Sequence, residues 1–127
     1  MKYQKINEKL KQLKIENFIW VIYIGIIFLS WYANSLEKNY FVFNDKYSKN
    51  KYRKVMIFIF TILIIVYFYF LKDSYKDFKN ISNKDSSKKQ NLVFLSFIAS
   101  LLIFISGLIF LYIAYKDEEL EVELAFN

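Results

Sequence analysis

The sequence predicts an all-α membrane protein with three transmembrane helices, an amphipathic basic N-terminal helix and a short acidic C-terminal tail. Of the 127 residues, 56% are hydrophobic and 24% are charged, and the two classes occupy separate blocks. Three long stretches contain no Asp, Glu, Lys or Arg, so all 18 basic and 12 acidic residues lie between or beyond them. Helices of a small soluble domain would each need a polar face. This segregation of charge therefore predicts membrane spans.

The N-terminal segment 1–17 has the pattern of an amphipathic helix. Tyr3, Ile6, Leu10 and Leu13 follow one another at spacings of three and four, and lysines fill much of the remainder. Such a helix can lie on an anionic leaflet, where each surface lysine contributes on the order of 1 kcal/mol of attraction. Two alternatives stay open: a solvated extension of the first span, and a helix that contacts a partner.

Residues 18–36 form the first predicted span. Nineteen residues rise about 28 Å in an α-helix, enough to cross the hydrocarbon layer. The alternative is a cleaved signal peptide, since a lysine-rich start precedes the run and small residues occur at 33–35. The apolar run continues through Trp31 and Tyr32 into that site, and the start also carries two glutamates. These features favour an uncleaved helix.

The sequence predicts a basic loop over 37–54 and a second span over 55–71. This span is near the lower length limit of about 17 residues, and its Ile and Val content is typical of strands in water. Lipid favours a helix, because each backbone hydrogen bond must close within the segment.

Residues 72–91 are predicted to form a charged helix extension followed by a flexible turn at Asn83–Asn91. Tyr75, Phe78 and Ile81 lie three apart, which continues the second helix beyond the membrane. Asp73 and Asp77 are one turn apart and could hold a divalent cation or act as an acid/base pair. The nearby lysines favour a salt-bridged surface instead.

Residues 92–115 form the third predicted span, and 24 residues rise about 36 Å, enough to cross with tilt. Small residues recur near one face, and such residues let a neighbouring helix approach closely. We therefore expect the first and third helices to pack together and the second to have more lipid exposure, with a polar pore lining as the alternative. The predicted packing residues are Gly25, Ser96, Ser100, Gly107 and Ala114.

The tail 116–127 alternates carboxylates with apolar residues at a period of two. That period separates the two classes only in an extended chain, and an isolated strand is unstable in water. The tail is therefore expected to add a strand to a protein partner or to a second copy, with disorder or an interfacial helix as alternatives. The residues of this predicted partner-binding segment are Glu119, Leu120, Glu121, Val122, Glu123, Leu124 and Phe126.

Orientation follows from the lysine and arginine count in the flanks. Eleven lie in segments 1–17 and 72–91, and seven lie in 37–54 and the tail. The positive-inside rule therefore predicts a multi-pass cell-membrane protein with a cytoplasmic N-terminus and an external C-terminus.

The composition argues against catalysis. The chain has no Cys and no His, and no ionisable Asp, Glu, Lys or Arg lies within a span. No nucleotide-binding loop, zinc motif or activated nucleophile is visible. We expect no enzyme activity, no catalytic residues, no cofactor, no metal and no nucleic-acid partner.

Two non-enzymatic classes remain. The chain resembles the broad set of small bacterial membrane proteins, a resemblance that carries no site residues. The first class is an accessory, binding or immunity-type protein that acts through its charged flanks and tail. Its expected contacts are the lipid bilayer, anionic headgroups at the lysine-rich flanks, and a protein partner or homo-oligomer. The alternative is a holin-like protein that permeabilises the membrane, although an acidic external tail counts against it.

Overall fold

Three long helices follow one another in a computed structural model that describes residues 2–124. They are α1 Lys2–Phe43, α2 Lys46–Lys79 and α3 Ser87–Lys116. No strand occurs in this described part of the chain. Each helix is long and apolar enough to cross a membrane, which confirms the predicted all-α class with three spans.

The helices are longer than a bilayer requires. With 42, 34 and 30 residues, they rise about 63, 51 and 45 Å, against a hydrocarbon thickness of about 30 Å. Helical structure therefore continues into the charged segments on both sides of the predicted spans.

The turn between α1 and α2 is much shorter than the loop predicted over 37–54. Only Asn44 and Asp45 interrupt the helices, because the segment contains no Gly or Pro to stop them earlier. Asn44 adopts a φ of 53°, a conformation that Asn tolerates. Asp45 then caps α2 by accepting a hydrogen bond from the Tyr47 amide at 3.1 Å.

The turn between α2 and α3 is also shorter than predicted. α2 continues to Lys79, as the aromatic spacing indicates, but the flexible turn predicted through Asn91 ends at Ser86. The Ser86 hydroxyl caps α3 by accepting from the Lys89 amide at 3.1 Å. The polar residues after it form the first turn of the helix rather than a loop.

Helix α2 lies between the other two. α1 and α3 each pack against α2, and within the described residues no α1–α3 pair comes within 8 Å between Cα atoms. Met56, Ile59, Phe60 and Leu63 of α2 are almost completely buried. The predicted pairing of the first and third helices, with the second more exposed to lipid, is therefore wrong. Bulky α2 side chains are complementary to small residues on α3, so they make contact rather than prevent it.

The α1–α2 pair is held along most of its length. Gln12 lies against Asp73 at one end, with 2.7 Å between Nε2 and Oδ2, and the Lys49 ammonium lies 5.5 Å from the Tyr40 ring centre at the other. The α1 residues that are buried or half-buried recur at spacings of three and four, the pattern of a left-handed helix pair. Within the first span they include Ile19, Tyr23, Ile26, Ser30 and Ala33.

The apolar runs of α2 and α3 are out of step along their shared axis. Phe68, near the end of the α2 run, pairs with Phe104 at 5.8 Å between ring centres. Phe78, in the charged extension, pairs with Phe94 at 5.8 Å. The first turns of the apolar run of α3 therefore lie beside charged rather than apolar turns of α2.

Candidate functional site

A groove follows α2 along its length: α3 forms its other wall at one end, both α1 and α3 border its middle, and α1 forms its other wall at the far end. Three cavities follow one another along it, with volumes of about 330, 430 and 400 Å³. Ser74, Asp77 and Ser96 line both the first and the second, and Tyr23 and Tyr67 line both the second and the third. These shared lining residues make the groove continuous.

The end of the groove near the α2–α3 turn is polar and carries both signs of charge. Asp77 of α2 and Lys88 and Lys89 of α3 line the same cavity. Ser74 and Ser100 share a hydrogen bond of 2.8 Å across the α2–α3 contact. These side chains lie together because the helices are offset, so that charged turns of α2 pack beside the start of α3.

Asp73 lies deeper on the α1 side, two residues after the apolar run of α2. Its pKa is raised above the ordinary value, first by burial and then by the nearby carboxylates of Asp77 and Glu16. Lys76 and the hydrogen bond from Gln12 oppose this increase. The groove therefore holds clustered negative charge that a cation would stabilise.

The opposite end of the groove is largely apolar. Tyr23, Ile26, Ile27 and Ser30 of α1 line it with Leu63 and Tyr67 of α2. The cavity thus changes from charged walls to hydrocarbon walls along its length. That gradient suits an elongated amphiphile better than a small polar substrate.

Asp85 closes the turn above the charged end. Its carboxylate accepts from the Ser82 amide at 2.9 Å and pairs with Lys89 at 3.2 Å. The Ser82 amide, followed by Lys89, holds the pKa of this carboxyl below its ordinary value. Asp85 therefore stays ionised and restrains Lys89 beside the groove.

The predicted packing residues have different surroundings. Gly107 is buried on Tyr67 and Ile64 of α2, and Ala114 is also buried. Ser100 and Ser96 line the groove. Gly25 is exposed, and a Cβ built on it would meet no atom within 4 Å. The small residues of α3 therefore face α2 or the groove, whereas Gly25 packs against nothing in the described structure.

The tail folds back on the helices as far as Leu124 instead of forming the predicted strand. The Asp117 carboxylate accepts from the Glu121 amide at 3.0 Å and the Val122 amide at 2.7 Å. Leu124 is 7% exposed and joins the apolar core, and Glu119 pairs with Lys49 at 3.6 Å. Phe126, the last residue of the predicted segment, lies outside the described residues.

The N-terminal apolar stripe faces away from α2. Tyr3, Ile6, Leu10 and Leu13 are all exposed, whereas Gln12 and Glu16 on another face are half-buried. The segment is continuous with the membrane-crossing part of α1. The stripe is therefore an unpartnered surface that extends outward from a span.

Sequence reasoning did not find the groove. The lysine neighbours of Asp73 and Asp77 in the sequence predict a salt-bridged surface instead. Besides the local Lys76, Asp73 has Gln12 and Glu16 of α1 as neighbours, and both carboxylates share a cavity with α3 serines; these contacts are distant in sequence. One feature of the sequence indicates the groove. The apolar run of α3 begins soon after the turn, whereas that of α2 ends well before it, so the two apolar runs must be offset where the helices pack.

The fold and groove define a multi-pass membrane protein with a laterally placed amphipathic cavity. No group of three or more His, Cys, Asp or Glu side chains able to hold a metal occurs within residues 2–124. Comparison of the chain with protein-family models, curated proteins and solved structures gives no match.

Proposed function

We propose that this chain is a non-enzymatic accessory or binding protein of the cell membrane, of the kind that includes immunity proteins, and that it binds partner proteins through its charged flanks and tail. The observation that carries the proposal is the exposed apolar stripe of Tyr3, Ile6, Leu10 and Leu13 on the outward extension of α1. Exposed apolar surface rimmed by charge is typical of an interaction site.

The geometry of α1 favours a protein over the bilayer surface as the partner of this stripe. Since α1 is one continuous helix, the stripe lies about 8 to 22 Å beyond Phe18 along the helix axis. Lysines nearest the span, such as Lys14 and Lys72, are placed to contact anionic headgroups. The more distant residues are better suited to a protein partner.

The tail offers a second contact surface at the other end of the molecule. Glu118, Glu121 and Glu123 are exposed around the folded segment that Asp117 and Leu124 hold in place. This acidic surface is complementary to a basic partner surface. We propose that it lies outside the cell and that the lysine-rich N-terminus lies in the cytoplasm, in agreement with the positive-inside rule.

A cross-linking experiment tests the proposal. A photoreactive residue at Asn7, beside the stripe, should link to a discrete partner protein in the native membrane. The variant I6Q/L10Q should reduce that product about tenfold, because two apolar anchors of a helix contact are lost. The matched control N17Q, with the photoreactive residue kept at Asn7, should retain the product, because Asn17 is exposed and lies outside the stripe.

Two outcomes would contradict the proposal. One is equal recovery of the product from I6Q/L10Q and from the control. The other is rapid loss of membrane potential and growth arrest on induced expression, which would support the holin-like alternative.

A further inference from the structure

We propose that the groove along α2 binds a phospholipid with a primary-ammonium headgroup, phosphatidylethanolamine, whose ammonium contacts Asp73 and Asp77 and whose phosphate contacts Lys88 and Lys89. This lipid site is distinct from the N-terminal stripe and the tail. The proposal therefore does not depend on the identity of a partner protein.

The charges of the groove match a zwitterion. Asp77 and the two lysines line one cavity of about 330 Å³, which fits a headgroup whose ammonium and phosphate are joined by a two-carbon link. Asp73 and Asp77 line the adjoining cavity, which contains no lysine or arginine. An anionic lipid could use Lys88 and Lys89 but would bring no further cation to these carboxylates, which have Lys76 on their other side.

Hydrogen bonding favours a primary ammonium over a quaternary one. Ser74, Ser96 and Ser100 line the same cavity as the two carboxylates, so several oxygen acceptors surround the proposed position of the nitrogen. A primary ammonium has three N–H donors for them, and a charge-assisted bond to a carboxylate is stronger than a neutral one. A trimethylated ammonium has no such donor.

The apolar end of the groove has the position required for an acyl chain. From the serines, the groove continues past Ile103 and Tyr67 to Leu63 and Ile26. Residues of α1 and α2 line this last cavity, so a chain can enter it laterally from the bilayer on the side away from these two helices.

The offset between α2 and α3 gives the lipid a structural role. On α3 the apolar surface begins at Leu92, which is 55% exposed together with Leu95 at 59%. On α2 the charged turns begin at Lys72, which is level with turns of α3 between Phe94 and Phe104, inside the apolar run of α3. The polar boundary of α2 therefore differs in level from that of α3. A headgroup in the groove lies at this difference and covers the half-buried Asp73 and the exposed Asp77.

Native mass spectrometry of the purified, delipidated full chain tests the site. The protein is titrated with phosphatidylethanolamine, phosphatidylcholine and phosphatidylglycerol that carry identical acyl chains. Phosphatidylethanolamine should bind about tenfold more tightly than either of the others, the effect of one charge-assisted contact. Equal binding of phosphatidylcholine, or tighter binding of phosphatidylglycerol, would overturn the proposal without recourse to any variant.

Variants then locate the site. D73N/D77N should abolish the preference for phosphatidylethanolamine over phosphatidylcholine, whereas E118Q, which removes an exposed tail carboxylate, should preserve it. Retention of the preference by a helical, monodisperse D73N/D77N protein would place the lipid elsewhere. A disulfide dimer formed through S96C in the membrane would show that a second copy occupies the groove, and would also overturn the proposal.

Discussion

Gly107 shows how one residue sets the distance between two helices. A Cβ at this position would lie 3.1 Å from Cδ2 of Tyr67 and 3.3 Å from Cγ1 of Ile64. These contacts are closer than ordinary packing, so a side chain here would require Tyr67 and Ile64 to move by a few tenths of an ångström. The glycine is required by proximity and not by backbone conformation, since its φ is not positive.

The variant G107V should therefore destabilise the α2–α3 contact by about 1–3 kcal/mol through overpacking. The matched variant G25V should have little effect, because nothing lies within 4 Å of a Cβ at Gly25. Reversible unfolding in detergent micelles, followed through helix separation, measures both. Equal destabilisation by the two variants would contradict the packing described for Gly107.

The sequence identified these two glycines without distinguishing between them. Small residues indicate where helices can approach each other closely. Which face of a helix is buried, however, depends on the helices that pack against it. The α1 residues that face α2 recur at 12, 16, 19, 23 and 26, a register that excludes Gly25. Nothing local to Gly25 reveals this register, because isoleucine and valine surround it on both the packed and the lipid-facing sides.

Among the elements, the tail differs most from its sequence pattern. The period-two alternation predicts a strand, yet Leu120 adopts a φ of 56°. The Asp117 carboxylate also accepts hydrogen bonds from two backbone amides of the tail. An Asp at the end of a helix can bind nearby backbone donors, and this local turn replaces extended pairing. The alternation instead brings Leu120 and Leu124 against the core, while Val122 stays exposed.

Replacement of Asp117 should release this folded tail. In D117A, the amide of Val122 loses its 2.7 Å bond to the carboxylate, and its hydrogen exchange should accelerate roughly tenfold, the effect of one hydrogen bond to a charged group. E118A removes the same charge from the next residue and should leave the exchange rate unchanged. Identical exchange rates in the two variants would show that Asp117 does not hold the tail.

At the scale of the whole molecule, the number of spans was predictable and their arrangement was not. The segregation of charge indicates which segments enter lipid, because the free energy of transfer is a sum over the residues of each segment. The order of helices depends on side-chain fit, and lipid is as apolar as the helix surfaces. The bulky side chains of α2 predict that it is exposed to lipid. Instead they pack against its neighbours, as Phe60 does against Phe110 of α3 at 5.6 Å between ring centres, and α2 lies between the other two helices.

The central position of α2 also creates the groove. If α1 and α3 packed together, the space between them that Tyr23 and Ile103 line would be closed. Asp73 and Asp77 would then have no shared cavity with the serines of α3. The proposed lipid site therefore depends on the helix order, whereas the proposed partner contact at the N-terminal stripe does not.

Cysteine cross-linking in native membranes tests the helix order most directly, because the chain contains no cysteine of its own. The pair S74C/S100C replaces hydroxyls 2.8 Å apart and should form a disulfide on mild oxidation. The pair S30C/A114C joins small residues of α1 and α3 and should not, since no described α1–α3 pair approaches within 8 Å between Cα atoms, beyond the reach of a disulfide. A disulfide in S30C/A114C with none in S74C/S100C would contradict a central α2.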